Sequence, residues 1–159
     1  HPDNSHQTEL LPMQTGTHLH FNGDCREAFD FYAKTLGGKI VFSMTYGESP
    51  AAAKTSAESR NKIIHARIDF GGQFLLGCDA PAEHYHTPEG FNVMAAVEQP
   101  AEAERIFATL ADGGKVTMPV QETFWAHRFG MVTDRFGTPW MVNCEKPLEA
   151  VAAAARKSA

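Results

Sequence analysis

The sequence predicts an α+β fold in which two tandem βαβββ modules form a curved mixed sheet around a cleft. The main observation is an internal repeat. The segments 27-EAFDFYAKTLGGKIV-41 and 102-EAERIFATLADGGKVT-117 both begin with Glu-Ala and run into Gly-Gly-Lys followed by a β-branched residue. A second observation is that strand-like segments flank both copies in the same order. Self-similarity of this kind indicates duplicated structural units.

Each copy begins with a predicted amphipathic helix. Apolar residues recur at helical spacing at Ala28, Phe29, Phe31, Tyr32 and Leu36 in the first copy and at Ala103, Ile106, Phe107 and Leu110 in the second. Such a stripe buries one face of a helix. Asp24 is a suitable N-cap for the first helix, and Pro100 suits the first turn of the second. The glycine pairs at 37–38 and 113–114 are typical of helix C-termini, because glycine adopts the left-handed conformation at low cost.

Strand patterns surround both helices. One strand precedes each helix, at 16–21 and 91–97. Three follow each helix, at about 39–46, 62–70 and 73–79 in the first half and about 115–120, 126–133 and 138–144 in the second. We therefore expect a first module at 13–79, a connector at 80–90, a second module at 91–146 and a C-terminal helical tail at 147–159. The polar residues 1–12 are expected to be a leader or an expression-derived tail.

Composition excludes several classes of function. The net charge is −5 and the sequence has no cluster of Lys and Arg, so we expect no nucleic-acid partner. No apolar run approaches the roughly 18 residues that a membrane-spanning helix needs, so we expect no membrane partner. Cys25, Cys78 and Cys144 show no CxxC spacing, which favours reduced thiols in the cytoplasm. We expect Cys78 and Cys144, in apolar strands, to be buried and inert.

A βαβββ unit has one sheet face covered by its helix and one face left open. Two such units that line up their sheets enclose a concave site between them, which predicts a cleft lined by strand residues of both halves. The expected occupant is a small molecule, and we expect the protein to be a homodimer. The C-terminal helix is available to pack on a partner subunit.

Two stretches supply the candidate cleft residues. His18 and His20 share one side of a strand, opposite Leu19 and Phe21, and are either metal ligands or half-exposed strand residues. In 123-TFWAHRFG-130, alternation places one face in the cleft and the other against the helix layer. The candidates from this region are Glu122, Trp125, His127, Phe129 and Trp140, which either bind an anionic ligand and move a proton or simply complete the core. A second His-x-His, at His84 and His86, is expected in a solvated connector.

The motifs resemble a known family. The segments 20-HFNGDCREAFDFYAKTLGG-38, 45-TYGESP-50 and 121-QETFWAHRFGMVTDRFGTPWMVN-143 closely resemble the PhnB-like branch of the vicinal-oxygen-chelate superfamily, which includes glyoxalases, bleomycin-resistance proteins and extradiol dioxygenases. The resemblance covers residues 13–146 and implies a glyoxalase/bleomycin-resistance-like fold. It does not by itself imply one activity.

The resemblance also implies where a metal would bind. In metal-dependent relatives, His and Glu ligands come from the first and last strands of each module. Here the corresponding positions fall on Met141, near Asn92 and near Gly77, with Asp79 just beyond, so most of the expected donors are absent. The leading hypothesis is therefore a protein that binds a small organic molecule without a catalytic metal or other cofactor.

Two alternatives remain open at this point. One is a metal-dependent lyase, isomerase or dioxygenase that uses a divalent ion on His18 or His20. The other is a protein that sequesters a drug or metabolite without turnover. A methyltransferase, an activity with which this branch has been labelled, is not expected, because the sequence has no Gly-rich turn for an adenosyl cofactor.

Overall fold

The computed structural model describes residues 13–158 and contains two four-stranded mixed sheets and three α-helices. The predicted leader at 1–12 lies outside the described residues. The first module contains β1 (Thr17–Phe21), α1 (Cys25–Leu36), β2 (Lys39–Thr45), β3 (Ile63–Asp69) and β4 (Phe74–Asp79). The second contains β5 (Val93–Ala96), α2 (Pro100–Ala111), β6 (Lys115–Gln121), β7 (Ala126–Thr133) and β8 (Pro139–Glu145), and α3 (Leu148–Lys157) follows.

The two modules have the same topology. Their strand orders are β1-β4-β3-β2 and β5-β8-β7-β6. In each module the first strand is parallel to the last, and the other neighbours are antiparallel. A helix packs on one face of each sheet, so the opposite face is left open. The α+β fold of two βαβββ modules is thereby confirmed.

The core lies on the helix-covered faces and is continuous between the modules. Its largest fully buried side chains come from both halves and include Phe21, Phe29, Tyr32, Ile68, Leu110, Val132, Val142 and Trp140. The Tyr32 ring packs edge-to-face on the Trp140 indole, with ring centroids 5.1 Å apart. Aromatic pairs of this geometry stabilise beyond the area they bury. The helix of the first module therefore packs directly on the sheet of the second.

A buried carboxylate reinforces this junction. The Tyr32 hydroxyl donates to Asp134 Oδ2 at 2.5 Å, and Trp140 Nε1 donates to the same oxygen at 2.8 Å. The backbone N–H groups of Phe136 and Thr138 donate to Asp134 Oδ1. Burial, followed by the nearby Asp134 charge, raises the pKa of Tyr32 well above its ordinary value. Its hydroxyl is therefore protonated at neutral pH and remains a hydrogen-bond donor.

A second buried carboxylate fixes the start of α1. Asp79 Oδ1 accepts hydrogen bonds from the backbone N–H groups of Gly23 and Cys25, and its Oδ2 accepts from the N–H of Ile63. Asp24, the expected N-cap, makes no side-chain capping hydrogen bond. Asp79, which is far away in sequence, instead satisfies the free N–H of Cys25 in the first turn of the helix.

The third helix confirms the helical assignment of the C-terminal tail. It begins after Pro147 and carries Arg156 and Lys157 in its last turn, where positive charge interacts favourably with the helix dipole. Within residues 13–158, no helix combines the length and hydrophobicity needed to cross a membrane.

Candidate functional site

A row of methionines crosses the open face of the second sheet, with one residue from each strand. Met94 of β5 lies beside Met141 of β8, which lies beside Met131 of β7, which lies beside Met118 of β6. Residues paired across a sheet point to the same side. Val93 beside Met94, Val132 beside Met131, and Trp140 and Val142 beside Met141 are buried on the helix side. Met94 is 56% exposed, so much of its thioether side chain is accessible to a ligand.

A second row runs beside the methionines and adds aromatic and amide groups. Ala96, Asn143 and Phe129 lie side by side on β5, β8 and β7. Asn143 Oδ1 is buried and has no hydrogen-bond partner among the described residues. The Trp125 ring packs edge-to-face on Phe129, with centroids 5.1 Å apart. We call these two rows the methionine face: Met94, Met118, Met131, Met141, Ala96, Asn143 and Phe129.

A groove separates the two modules at the edge of this face. Its volume is about 610 Å³, and it lies between β5 and the β1–β4 pair. It is lined by Thr15, Gly16, Thr17, Gln73, Phe74 and Leu75 of the first module and by Asn92–Val97, Ile106 and Trp140 of the second, together with Leu36 and Phe70. Met94 and Ala96 belong both to the groove and to the methionine face, so the two are continuous. The volume lies within the range of small-molecule pockets.

The open face of the first sheet has a different chemistry. His18 and His20 are exposed on β1, opposite the buried Leu19 and Phe21, as alternation predicts. Their rings lie 4.8 Å apart between centroids. Cys78 of β4 pairs with His20, and its Sγ lies 3.6 Å from His20 Nδ1. One ligand atom from each of these three residues lies within 4.8 Å of the others.

The electrostatics of this cluster favour uncharged forms of two of its groups. Partial burial, then His20 and then His65, lower the pKa of His18 below its usual value. Partial burial and then the Asp79 charge raise the pKa of the Cys78 thiol. At neutral pH, His18 is therefore a neutral imidazole and Cys78 a thiol.

Cys78 is a residue that sequence reasoning missed. It is half-buried and not buried as expected, because it lies on the open face of β4, whereas Cys144 is buried. Gly77, the position first compared with a family ligand, faces α1 instead: a Cβ added there would lie 2.5 Å from Phe29 Cζ. Alternation along β4 places Cys78 on the open face, and the pairing of β4 with β1 brings it beside His20. The sequence shows the alternation but not the pairing.

The candidates around β7 do not form one cluster. Phe129 belongs to the methionine face and Trp125 packs beside it, whereas Trp140 is buried, donates to Asp134 and lines the groove. His127 is exposed. The exposed Glu122 is paired with Lys146, whose Nζ lies 2.8 Å from Glu122 Oε1.

Arg128 and Phe129 lie on opposite sides of β7, whereas the pairing of β7 with β8 is irregular between Ala126 and Arg128. Arg128 forms an ion pair with Glu104 of α2, with Nε 2.8 Å from Oε1, so its side of β7 contacts the helix layer. Phe129 points to the opposite, open side.

The metal positions implied by the family resemblance do not fit a catalytic metal in the second module. Met141 offers a thioether on the open face, and Asn92 offers a carboxamide at the groove. Neither replaces the carboxylate or imidazole donors that hold zinc, nickel or iron in oxygen- and nitrogen-rich sites. Met141 and Asn92 therefore do not complete a catalytic metal site shared by the two modules.

Comparison with known proteins agrees with the fold and the motifs. The family model of the Glyoxalase/Bleomycin resistance protein/Dioxygenase superfamily matches residues 17–142. Protein YjdN of Escherichia coli (strain K12) is 37% identical over 142 residues, covering 84% of this chain and 97% of that protein.

Solved structures show the same architecture. PA1353 from Pseudomonas aeruginosa has a TM-score of 0.78 at 44% identity, covering 85% of this chain and 99% of that one. The PhnB protein from Bacillus cereus has a TM-score of 0.70 at 23% identity, covering 82% and 98%, and shows the shared fold. The chain therefore belongs to the Glyoxalase/Bleomycin resistance protein/Dioxygenase superfamily.

Proposed function

We propose that this protein binds a small organic molecule in the groove between its two modules and does so without a catalytic metal. The observation that carries the proposal is the groove of about 610 Å³, which is continuous with the methionine face. Its walls combine apolar side chains such as Phe74 and Leu75 with polar groups from Gln73, Asn92 and the backbone of β5. Pockets that combine apolar walls with a few polar groups are typical small-molecule sites.

The groove and the methionine face together favour a mainly apolar ligand with polar atoms at one end. Methionine side chains are flexible and polarizable, so a row of them adapts to ligands of irregular shape. Among residues 13–158, β5 pairs only with β8, which leaves the backbone groups on its other edge available to a ligand. A flat apolar body would pack on Met94, and its polar atoms would bond to this edge.

We propose a metal-free site because the second module lacks the side chains that usually bind a metal in this superfamily. Asn92 lines the groove and Met141 lies on the adjoining face, so the second module presents neutral groups where metal-dependent relatives present ligands. Orientation of the ligand must then come from hydrogen bonds and shape. A metal-dependent lyase, isomerase or dioxygenase would instead need donors supplied by the first sheet alone.

We further propose that the protein is a cytoplasmic homodimer. The open face of the first sheet carries the exposed apolar side chain of Phe42, which a second copy would cover. The three cysteines are free, as expected in a reducing compartment. Light scattering on protein at micromolar concentration is expected to give twice the mass of one chain, and the mass of a single chain would contradict the dimer.

The experiment is a thermal-shift screen of small organic molecules in the presence of EDTA, followed by calorimetry on the hits. Ala96→Trp places an indole in the groove at an exposed position and is expected to abolish binding. Ala101→Trp, at an exposed position in the first turn of α2, is the matched control and is expected to leave binding unchanged.

The outcomes separate the alternatives. Binding that survives Ala96→Trp would place the ligand elsewhere and reject the proposed groove, as would binding that requires a divalent ion. Mass spectrometry would show whether the bound ligand changes chemically. Tight binding of an unchanged ligand would identify sequestration. Conversion of the ligand would identify an enzyme.

A further inference from the structure

We propose that His18, His20 and Cys78 form a Zn²⁺ site on the open face of the first sheet, separate from the groove that binds the organic ligand. All three ligands come from the first module, on the neighbouring strands β1 and β4. The second module, where the family resemblance places two further ligands, contributes none. The site would therefore belong to this chain's own residues.

The distances fit zinc coordination. One donor atom from each of the three residues lies within 4.8 Å of the other two. At the usual zinc bond lengths and a tetrahedral angle, a nitrogen and a sulfur ligand lie about 3.6 Å apart. His20 Nδ1 and Cys78 Sγ already lie at this spacing, 3.6 Å apart, and a small rotation of the exposed His18 side chain would bring the third donor to the ion.

The scaffold keeps the three side chains together. His18 and His20 are two residues apart on one strand and therefore share a face, and Cys78 is the direct cross-strand partner of His20. Ligands on paired strands hold their geometry better than ligands on loops. Arg67, a cation on the same face, is paired with Asp69 at 2.7 Å, so its charge is partly compensated.

The donor types select the metal. Two imidazoles and one sulfur suit Zn²⁺, whereas Mg²⁺ and Ca²⁺ prefer oxygen ligands. On binding, the Cys78 thiol releases its proton to water and a Zn–S bond forms. Three protein ligands leave the fourth position of a tetrahedral ion to water.

A simpler explanation of the contact is a hydrogen bond in which the Cys78 thiol donates to His20 Nδ1. That arrangement needs no ion and would leave the thiol free to react. If Cys78 is a metal ligand, Zn²⁺ is expected to slow its alkylation. Cys78 is the half-buried one of the three free cysteines.

The test uses the full chain without an affinity tag, titrated with Zn²⁺ by calorimetry and with Co²⁺ by absorption spectroscopy. One ion per chain is expected, with a thiolate-to-cobalt charge-transfer band. Cys78→Ser, a near-isosteric change, is expected to remove that band and to weaken Zn²⁺ binding by about 100-fold. His18→Ala with His20→Ala is expected to weaken it at least as much.

The matched control is His84→Ala with His86→Ala, which removes the other His-x-His without touching the cluster and is expected to leave Zn²⁺ binding unchanged. The proposal is overturned if wild-type protein shows no thiolate band with Co²⁺, if Cys78→Ser binds Zn²⁺ as the wild type does, or if the control variant loses binding. Because organic-ligand binding is measured in EDTA, failure here is distinguishable from failure of the proposed function.

Discussion

At the residue scale, two buried carboxylates organise the chain through hydrogen bonds that cross long sequence separations. Asp79 fixes the start of α1, and Asp134 joins the Tyr32 hydroxyl to the second module. Each carboxylate accepts at least three hydrogen bonds from buried or half-buried groups. A buried charge is tolerated only when it is satisfied in this way.

The Tyr32→Phe variant tests the contribution of the junction. It removes one donor from a buried carboxylate, so we expect the free energy of unfolding to fall by about 1–3 kcal/mol, measured by urea denaturation. Tyr85→Phe is the matched control, because the Tyr85 hydroxyl makes no hydrogen bond within residues 13–158. Equal stability of the two variants would contradict a stabilising role for the Tyr32–Asp134 hydrogen bond.

The sequence predicted the positions of some of the residues discussed above but not the roles of others, and the difference has a physical reason. Alternation along β1 correctly separated His18 and His20 from Leu19 and Phe21, because that pattern is local. The roles of Asp79 and Cys78 depend on which strand pairs with which, and β4 lies more than 50 residues from β1. Local patterns contain no information about that pairing.

At the element scale, close approach between each helix and its sheet depends on a glycine in a strand. A Cβ added at Gly77 of β4 would lie 2.5 Å from Phe29 Cζ of α1, and one added at Gly130 of β7 would lie 2.6 Å from Phe107 Cε2 of α2. Both phenylalanines are buried, so neither can move aside without disturbing the core. In both modules, therefore, a strand glycine leaves room for a phenylalanine of the packed helix.

Gly77→Ala is therefore expected to overpack the interface between α1 and β4 and to lower the free energy of unfolding by about 1–3 kcal/mol, measured by urea denaturation. Phe29→Leu should make room for the added methyl group. The double variant is accordingly expected to be less destabilised than the sum of the two single variants. Additive losses would show that Phe29 is not the group that the new Cβ meets.

The elements themselves were largely predictable. The strand expected at 126–133 is Ala126–Thr133 in the structure, α1 ends at the expected Gly37, and α2 begins at the expected Pro100. The second helix ends at Ala111 with Asp112 as its C-cap, one residue before the expected glycines. The strand expected at 91–97 is shorter, Val93–Ala96. Hydrophobic periodicity identifies an element, but strand ends depend on where the neighbouring strand offers hydrogen bonds.

At the scale of the whole molecule, the modules join through their helix-covered faces while their first strands, β1 and β5, flank the groove. The repeat predicted both modules, but the groove depends on how Tyr32, Asp134 and Trp140 set one module against the other. Those contacts span more than 100 residues for Tyr32 and Asp134. The methionine row was also missed, because its four members become neighbours only when the second sheet is assembled.

A crystal structure with a ligand identified in the thermal-shift screen, grown with EDTA, tests the central claim most directly. The account predicts ligand density between β1 and β5, in contact with Met94 and bonded to the exposed edge of β5, with no metal ion in the groove. Density only at another surface, or a ligand held through a metal ion bound by residues of both modules, would contradict it.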